Sequence, residues 1–206
     1  MRIAKRKEIW VPTCWGWTLI VLALFALAVG YVNYVHSFLA VSKPVQAQVL
    51  AVDGWSSVHG LETAASEFKA HGYARLVVFD PQGRWIISTL ERAGVDENRI
   101  VRITPKRVSR DRTFTYAIAL DNWLQSSGLP GKDVNIMSEG VHARRSWLLF
   151  RKALGPAAAV GVISYPNQDY DPDRWWESSA GFKTVIDETI AYIYTELFFL
   201  PARAMR

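Results

Sequence analysis

The chain has 206 residues, with 24 Lys and Arg against 19 Asp and Glu, and its formal charge of +5 would by itself suggest an acidic partner. Arg2, Lys5, Arg6, Lys7 and Lys43 flank one apolar run, with Glu8 the only acid among them, so the rest of the chain is close to neutral. Nucleic-acid binding thereby loses its main support. The single cysteine, Cys14, excludes an intrachain disulfide and a cysteine metal site.

From Ile9 to Ser42 the sequence contains no Asp, Glu, Lys or Arg. A hydrocarbon core about 30 Å thick takes about 20 helical residues, so residues 14–38 are predicted to be a transmembrane helix whose partner is the lipid bilayer. Trp15 and Trp17 at one end, with Tyr31 and Tyr34 at the other, suit the two interfaces. The basic cluster predicts that residues 1–13 stay in the cytoplasm, which puts residues 44–206 on the extracytoplasmic face of the inner membrane. A cleaved signal peptide is the competing reading, with small residues near Ala40 and Ala47. Signal-peptide apolar regions are usually about 7 to 15 residues, shorter than this one. A lipid-modified Cys14 is disfavoured because the apolar stretch follows this cysteine, whereas it would normally precede it.

After Pro44 the pattern changes to short β-branched runs separated by helical stretches. Strands are predicted at 46–52, 75–79, 99–103, 134–138 and 158–164, and helices at about 58–71, 85–93, 113–126, 142–154 and 182–199. Gly72, Gly94 and Gly128 follow three of these helices, where a left-handed cap needs a residue without Cβ. The alternation predicts one Rossmann-like three-layer α/β domain with a mainly parallel five-stranded sheet. Ligands of such sheets sit beyond the carboxyl ends of the strands, where helix N-termini present free amides.

The segment Ser138-Glu139-Gly140-Val141-His142-Ala143-Arg144-Arg145 runs from the fourth strand into the next helix. A His at a helix start with Arg three residues later sets an acid/base group and a guanidinium on one face, a pairing suited to an anion. His142 is a catalytic candidate, and Arg144 and Arg145 are ligand-binding candidates; the competing reading makes His142 a cap and the arginines solvated charges. Asp53, at the end of the first strand, is a second catalytic candidate that could face the same crevice, with Gly54 beside it as a ligand-binding position. It equally suits the cap or turn residue of an Asp-Gly turn. Arg112 and Thr113 open the third domain helix and complete the ligand-binding set. Carboxylate, imidazole and guanidinium together permit general acid/base chemistry at a phosphate ester.

Strand, His-Ala-Arg-Arg and amphipathic helix, together with Arg112-Thr113 and a Trp-rich stretch before the last helix, resemble the ElyC/SanA/YdcF family of envelope-associated α/β domains over about residues 46–197. The resemblance implies a presumed ligand crevice at Thr113, His142 and Arg145 and a role in peptidoglycan or envelope polysaccharide biogenesis. Two turns depart from the family pattern: Val52-Asp53-Gly54-Trp55 stands for a glycine-rich turn, and Phe79-Asp80-Pro81-Gln82-Gly83 for a Ser-Gly-Gly turn. Three functions follow as expectations. The chain is an envelope factor handling a phosphate-bearing ligand or lipid carrier, an adaptor for another envelope-assembly membrane protein, or a binder of a nucleotide or S-adenosylmethionine.

Lys106, Arg107, Arg110 and Arg112 form a basic loop that suits a pyrophosphate or an anionic headgroup, although such runs are usually just solvated. Asn167 to Asp173 alternates acids as a calcium loop does, but without the glycine and the closing Glu that an EF-hand requires. No spacing calls for a metal or a cofactor. The final helix is apolar at helical spacing, the mark of a core-packed element, and its aromatic end followed by Pro201, Arg203 and Arg206 also suits a bilayer face or a partner helix.

Overall fold

A computed structural model describes residues 11–53, 57–79, 85–105, 108 and 110–200. The chain divides into two compact units, Met1–Tyr34 and Val35–Arg206. Within the first lies most of helix α1 (Cys14–Leu39), which is long and apolar enough to cross a membrane. Two of its polar side chains return their donors to the helix itself: Thr18 Oγ1 to the Cys14 carbonyl at 3.0 Å and Asn33 Nδ2 to the Val29 carbonyl at 2.7 Å. Such i−4 bonds are how a polar side chain is tolerated where water is scarce.

The second unit is an α/β domain. Its strands are β1 (Val49–Val52), β2 (Arg75–Phe79), β3 (Ile100–Ile103), β4 (Val134–Glu139) and β5 (Val160–Tyr165). They form one parallel sheet in the order β3-β2-β1-β4-β5. A parallel sheet is covered on both faces, which is why β1 reads Val-Leu-Ala-Val with every residue buried. Leu50 and Val52 join Leu76, Val78 and Met137 under α2 (Val58–His71) and α3 (Trp85–Arg92). Val49 and Ala51 point the other way, with Val77 and Ile136, into a layer closed by α4 (Arg112–Ser126) and α5 (Ala143–Leu154). The last helix, α6 (Ser179–Leu197), packs on α5 and on a 3-10 segment, Pro172–Glu177, that buries Trp175.

The chain winds outward from β1 to β3, returns, and resumes at β4 on the other side of β1. The adjoining carboxyl ends of β1 and β4 are therefore the topological switch point, where the crevice of such sheets opens. Gly72, Gly94 and Gly128 all have positive φ, at 66°, 88° and 72°.

The packed unit begins at Val35 rather than at residue 44, because the segment after the apolar helix is part of the core. Val35, Leu39 and Val41 are buried. Lys43 exchanges two backbone hydrogen bonds with Val162, at 2.8 and 3.1 Å. The buried Asn135 side chain then takes over from the ladder: its Oδ1 accepts from Val45 N at 2.9 Å and its Nδ2 donates to Val45 O at 2.8 Å. β1 itself starts at Val49 and not at 46. Gly161 makes the approach possible, since a Cβ there would collide with Asn135 Oδ1 and lie 2.7 Å from Val45 N.

Candidate active site

A cleft of about 560 Å³ opens at the switch point, within the size range of small-molecule sites. Asp53 reaches it from the end of β1, Ser138 and Glu139 from the end of β4, Arg112 and Thr113 from the start of α4, His142 and Arg145 from the start of α5, and Glu188 from α6. Gly54 lies outside the described residues, as do Lys106 and Arg107 of the basic loop and the second departing turn at 80–83.

Asp53 is buried, and its backbone N–H donates to Met137 O at 2.8 Å, extending the β1–β4 pairing one step past the strand. The same register aligns it with Ser138, whose hydroxyl donates to Asp53 Oδ2 at 3.2 Å. Ser146, one turn into α5, donates to the same oxygen. Two hydroxyls thus offset part of the cost of burying this carboxylate.

His142 is the residue before α5, with helical dihedrals (φ −68°, ψ −20°) and no side-chain capping hydrogen bond, so its ring is left for the cleft. It ends a 3-10 turn, Gly140–His142, made by Gly140 at φ 47°. The turn sets its ring between two carboxylates: Nε2 is 3.5 Å from Asp53 Oδ2, and Nδ1 is 2.7 Å from Glu188 Oε1. Arg145 grips Glu188 with both forks, Nε to Oε2 at 2.8 Å and Nη2 to Oε1 at 2.8 Å, and its Nη2 also lies 2.8 Å from His142 Nδ1. Bidentate guanidinium–carboxylate pairs are the strongest of the charge-assisted hydrogen bonds and fix orientation as well as distance.

Burial works against a charge on the His142 ring, but the Glu188 hydrogen bond and the Asp53 charge outweigh it and raise the ring's pKa above its usual value. Burial likewise opposes a charged Glu188, yet its bonds to Arg145 and His142 hold it down to about 2. Tyr170, on the same wall, is pushed up to about 12, first by burial and then by Glu139 and Glu188, so its hydroxyl stays protonated.

Arg144 is turned away from the cleft. One residue along an α-helix is a rotation of about 100°, so only one of two adjacent arginines can share the face of His142, and the i+3 position is Arg145. The Arg144 guanidinium lies over the Phe38 ring at 3.8 Å, and its Nε donates to the Phe38 carbonyl. Asp111, ahead of α4, has φ 53°, a left-handed conformation rare outside glycine, and also lines the cleft.

Glu188, Ser138 and Ser146 are the residues that motif reading passes over. Glu188 carried a signal: it falls three residues after the buried Val185 and seven before the buried Thr195, on the inward face of α6. A carboxylate on a buried helix face requires a cation opposite it.

These features define an α/β domain of the doubly wound class with an acid–imidazole–acid cluster at its switch point. No family model and no curated protein matches the chain. Among solved structures, the HAD domain of the effector protein Lem4 from Legionella pneumophila, studied as an inactive mutant, matches at a TM-score of 0.36 and 11% identity, covering 74% of this chain and 100% of that one. That likeness is too distant to bear on chemistry.

Proposed function

We propose that the chain is a single-pass membrane protein of the cell envelope. In this reading its N-terminus is cytoplasmic and its α/β domain extracytoplasmic, and its cleft takes a phosphate-bearing ligand or lipid carrier. The observation that carries this reading is the convergence of Arg112 and Thr113 at the start of α4 with His142 and Arg145 on one cleft. Amides at a helix start and a guanidinium favour an anion, and an imidazole beside it can exchange a proton with an ester oxygen. Phe114, Leu149 and Phe199 give the same cleft an apolar wall, which suits a ligand with a hydrocarbon part. The likeness of Arg112-Thr113 and of His142 to Arg145 to the ElyC/SanA/YdcF pattern supports an envelope role, and the length and apolarity of α1 support membrane anchoring.

The test is a thermal-shift screen of the full chain in detergent against inorganic pyrophosphate, isoprenyl phosphates, nucleotides and S-adenosylmethionine. A ligand at 100 Kd adds about 2.7 kcal/mol to stability. Stabilisation by a phosphate-bearing compound that Arg112→Ala abolishes supports the reading. A response to S-adenosylmethionine alone, or to none of the four classes, refutes it.

An adaptor role is the second reading. A specific observation favours it: Ile190, Ile193 and Leu197, at helical spacing on α6, are exposed and do not line the cleft. An adaptor would tolerate His142→Ala but not Leu197→Glu.

A further inference from the structure

The acid–imidazole–acid cluster has a direction, which comes from the two unequal contacts of the His142 ring. Nδ1 and Glu188 Oε1 are 2.7 Å apart, a separation at which a ring lone pair and a carboxylate lone pair repel unless a hydrogen lies between them. Arg145 Nη2 stands 2.8 Å from both Oε1 and Nδ1, so the three atoms form a nearly equilateral triangle in which no hydrogen on Nη2 lies between the other two, and the hydrogen that separates Nδ1 from Oε1 is the ring's own. The other ring nitrogen, Nε2, stands 3.5 Å from Asp53 Oδ2, beyond a short hydrogen bond. Asp53 Oδ2 is in any case occupied by the hydroxyls of Ser138 and Ser146.

We infer that Glu188 is the positioning residue of this site: it keeps a hydrogen on His142 Nδ1, leaving Nε2, on the Asp53 side, as the atom that gives a proton to the ligand or takes one from it. Arg145 serves the same end by fixing both oxygens of Glu188, so its guanidinium orients the carboxylate and does not reach for the ligand. The anion-binding part of the site then falls to the start of α4, with Arg112 and Thr113. The proton balance is simple. The imidazolium carries hydrogen on both nitrogens, the one on Nε2 passes to a basic oxygen of the ligand, and the neutral ring left behind holds its remaining hydrogen on Nδ1 against Glu188. This inference rests on the cleft being the ligand site, but its central claim, the tautomer, is readable without any ligand.

The experiment is long-range proton–nitrogen NMR of the full chain in detergent micelles, labelled with 15N-histidine, with His142 assigned by the signal lost in His142→Gln. The expected neutral form carries its hydrogen on Nδ1 in the wild type. Glu188→Gln, which keeps an acceptor oxygen but no charge, retains that tautomer and titrates at lower pH. Glu188→Ala loses it. A neutral wild-type ring protonated on Nε2 overturns the inference, as does a Glu188→Ala ring that keeps the Nδ1 hydrogen. Where Glu188→Ala fails to fold, the wild-type and Glu188→Gln spectra decide. An Nδ1-protonated ring in a chain that no phosphate compound stabilises leaves Glu188 in its role and removes the phosphate reading.

Discussion

Replacing Asn135 by Ala tests whether residues 35–47 are a structural strap of the domain. The Asn135 side chain makes three hydrogen bonds: from Val45 N at 2.9 Å, to Val45 O at 2.8 Å and to the Tyr73 hydroxyl at 2.9 Å. It is 1% exposed, so Ala leaves these partners facing a small void in place of bulk water. A typical intramolecular hydrogen bond contributes about 1 kcal/mol net, and a buried group left unpaired costs more. Val45 is only half-buried, which lets water recover part of the loss. The expected destabilisation is therefore about 3 kcal/mol. Urea unfolding of the detergent-solubilised chain, followed by tryptophan fluorescence, measures it. Hydrogen exchange at the Val45 amide shows whether the strap has come loose. A loss below about 1 kcal/mol with Val45 still protected would mean that the Lys43–Val162 pairing holds the strap unaided, and the reasoning fails.

Four further outcomes follow from the same geometry. Gly161→Ala crowds Asn135 and Val45 and is expected to destabilise by about 2 kcal/mol or more, and its cost should shrink in an Asn135→Ala background because the two share one contact; a double-mutant cycle reads the coupling. The cluster should be most stable at mildly acidic pH. Glu188, lowered to about 2, contributes above its unfolded value near 4.5 and loses that contribution as pH falls toward 2, roughly 3 kcal/mol in all, whereas His142, raised, contributes below 6.5 and loses it as pH rises through its folded value. Unfolding free energies of wild type and Glu188→Gln from pH 3 to 9 check both limbs, and the variant should flatten them. Arg144→Ala should cost about 1 kcal/mol through its lost stacking on Phe38 and leave any ligand-induced thermal shift unchanged. Alkaline phosphatase joined after the last helix should be active and β-galactosidase at the same point inactive; the reverse pattern refutes the extracytoplasmic assignment.

A chain starting at residue 44 should be less stable than one starting before Val35, by an amount of order 5 kcal/mol, because Val35, Leu39 and Val41 are buried in the domain. That contrast marks a boundary the sequence hides. The change from a charge-free run to Lys43-Pro44 looks like the end of one element and the start of a linker, since composition cannot distinguish a residue apolar because it faces lipid from one apolar because it faces a core.

Local pattern determined the elements. The β-branched runs gave β2 its observed limits, and Ser57 and Gly72 bracket α2 as cap residues do, with Ser57 Oγ accepting from Gly60 N at 3.1 Å and Gly72 at φ 66°. It also brought Asp53, Arg112, Thr113, His142 and Arg145 toward one end of the sheet, because a parallel sheet delivers every strand's carboxyl end to the same side. The sheet order, the separation of Arg144 from Arg145, and the pairing of Glu188 with both His142 and Arg145 were decided by tertiary structure. Glu188 lies 46 residues beyond His142 in the chain and 2.7 Å from it in space. Hydrophobic periodicity and capping act within a few residues, whereas the environment that charges an imidazole and fixes its hydrogen is assembled only when α6 docks against α5.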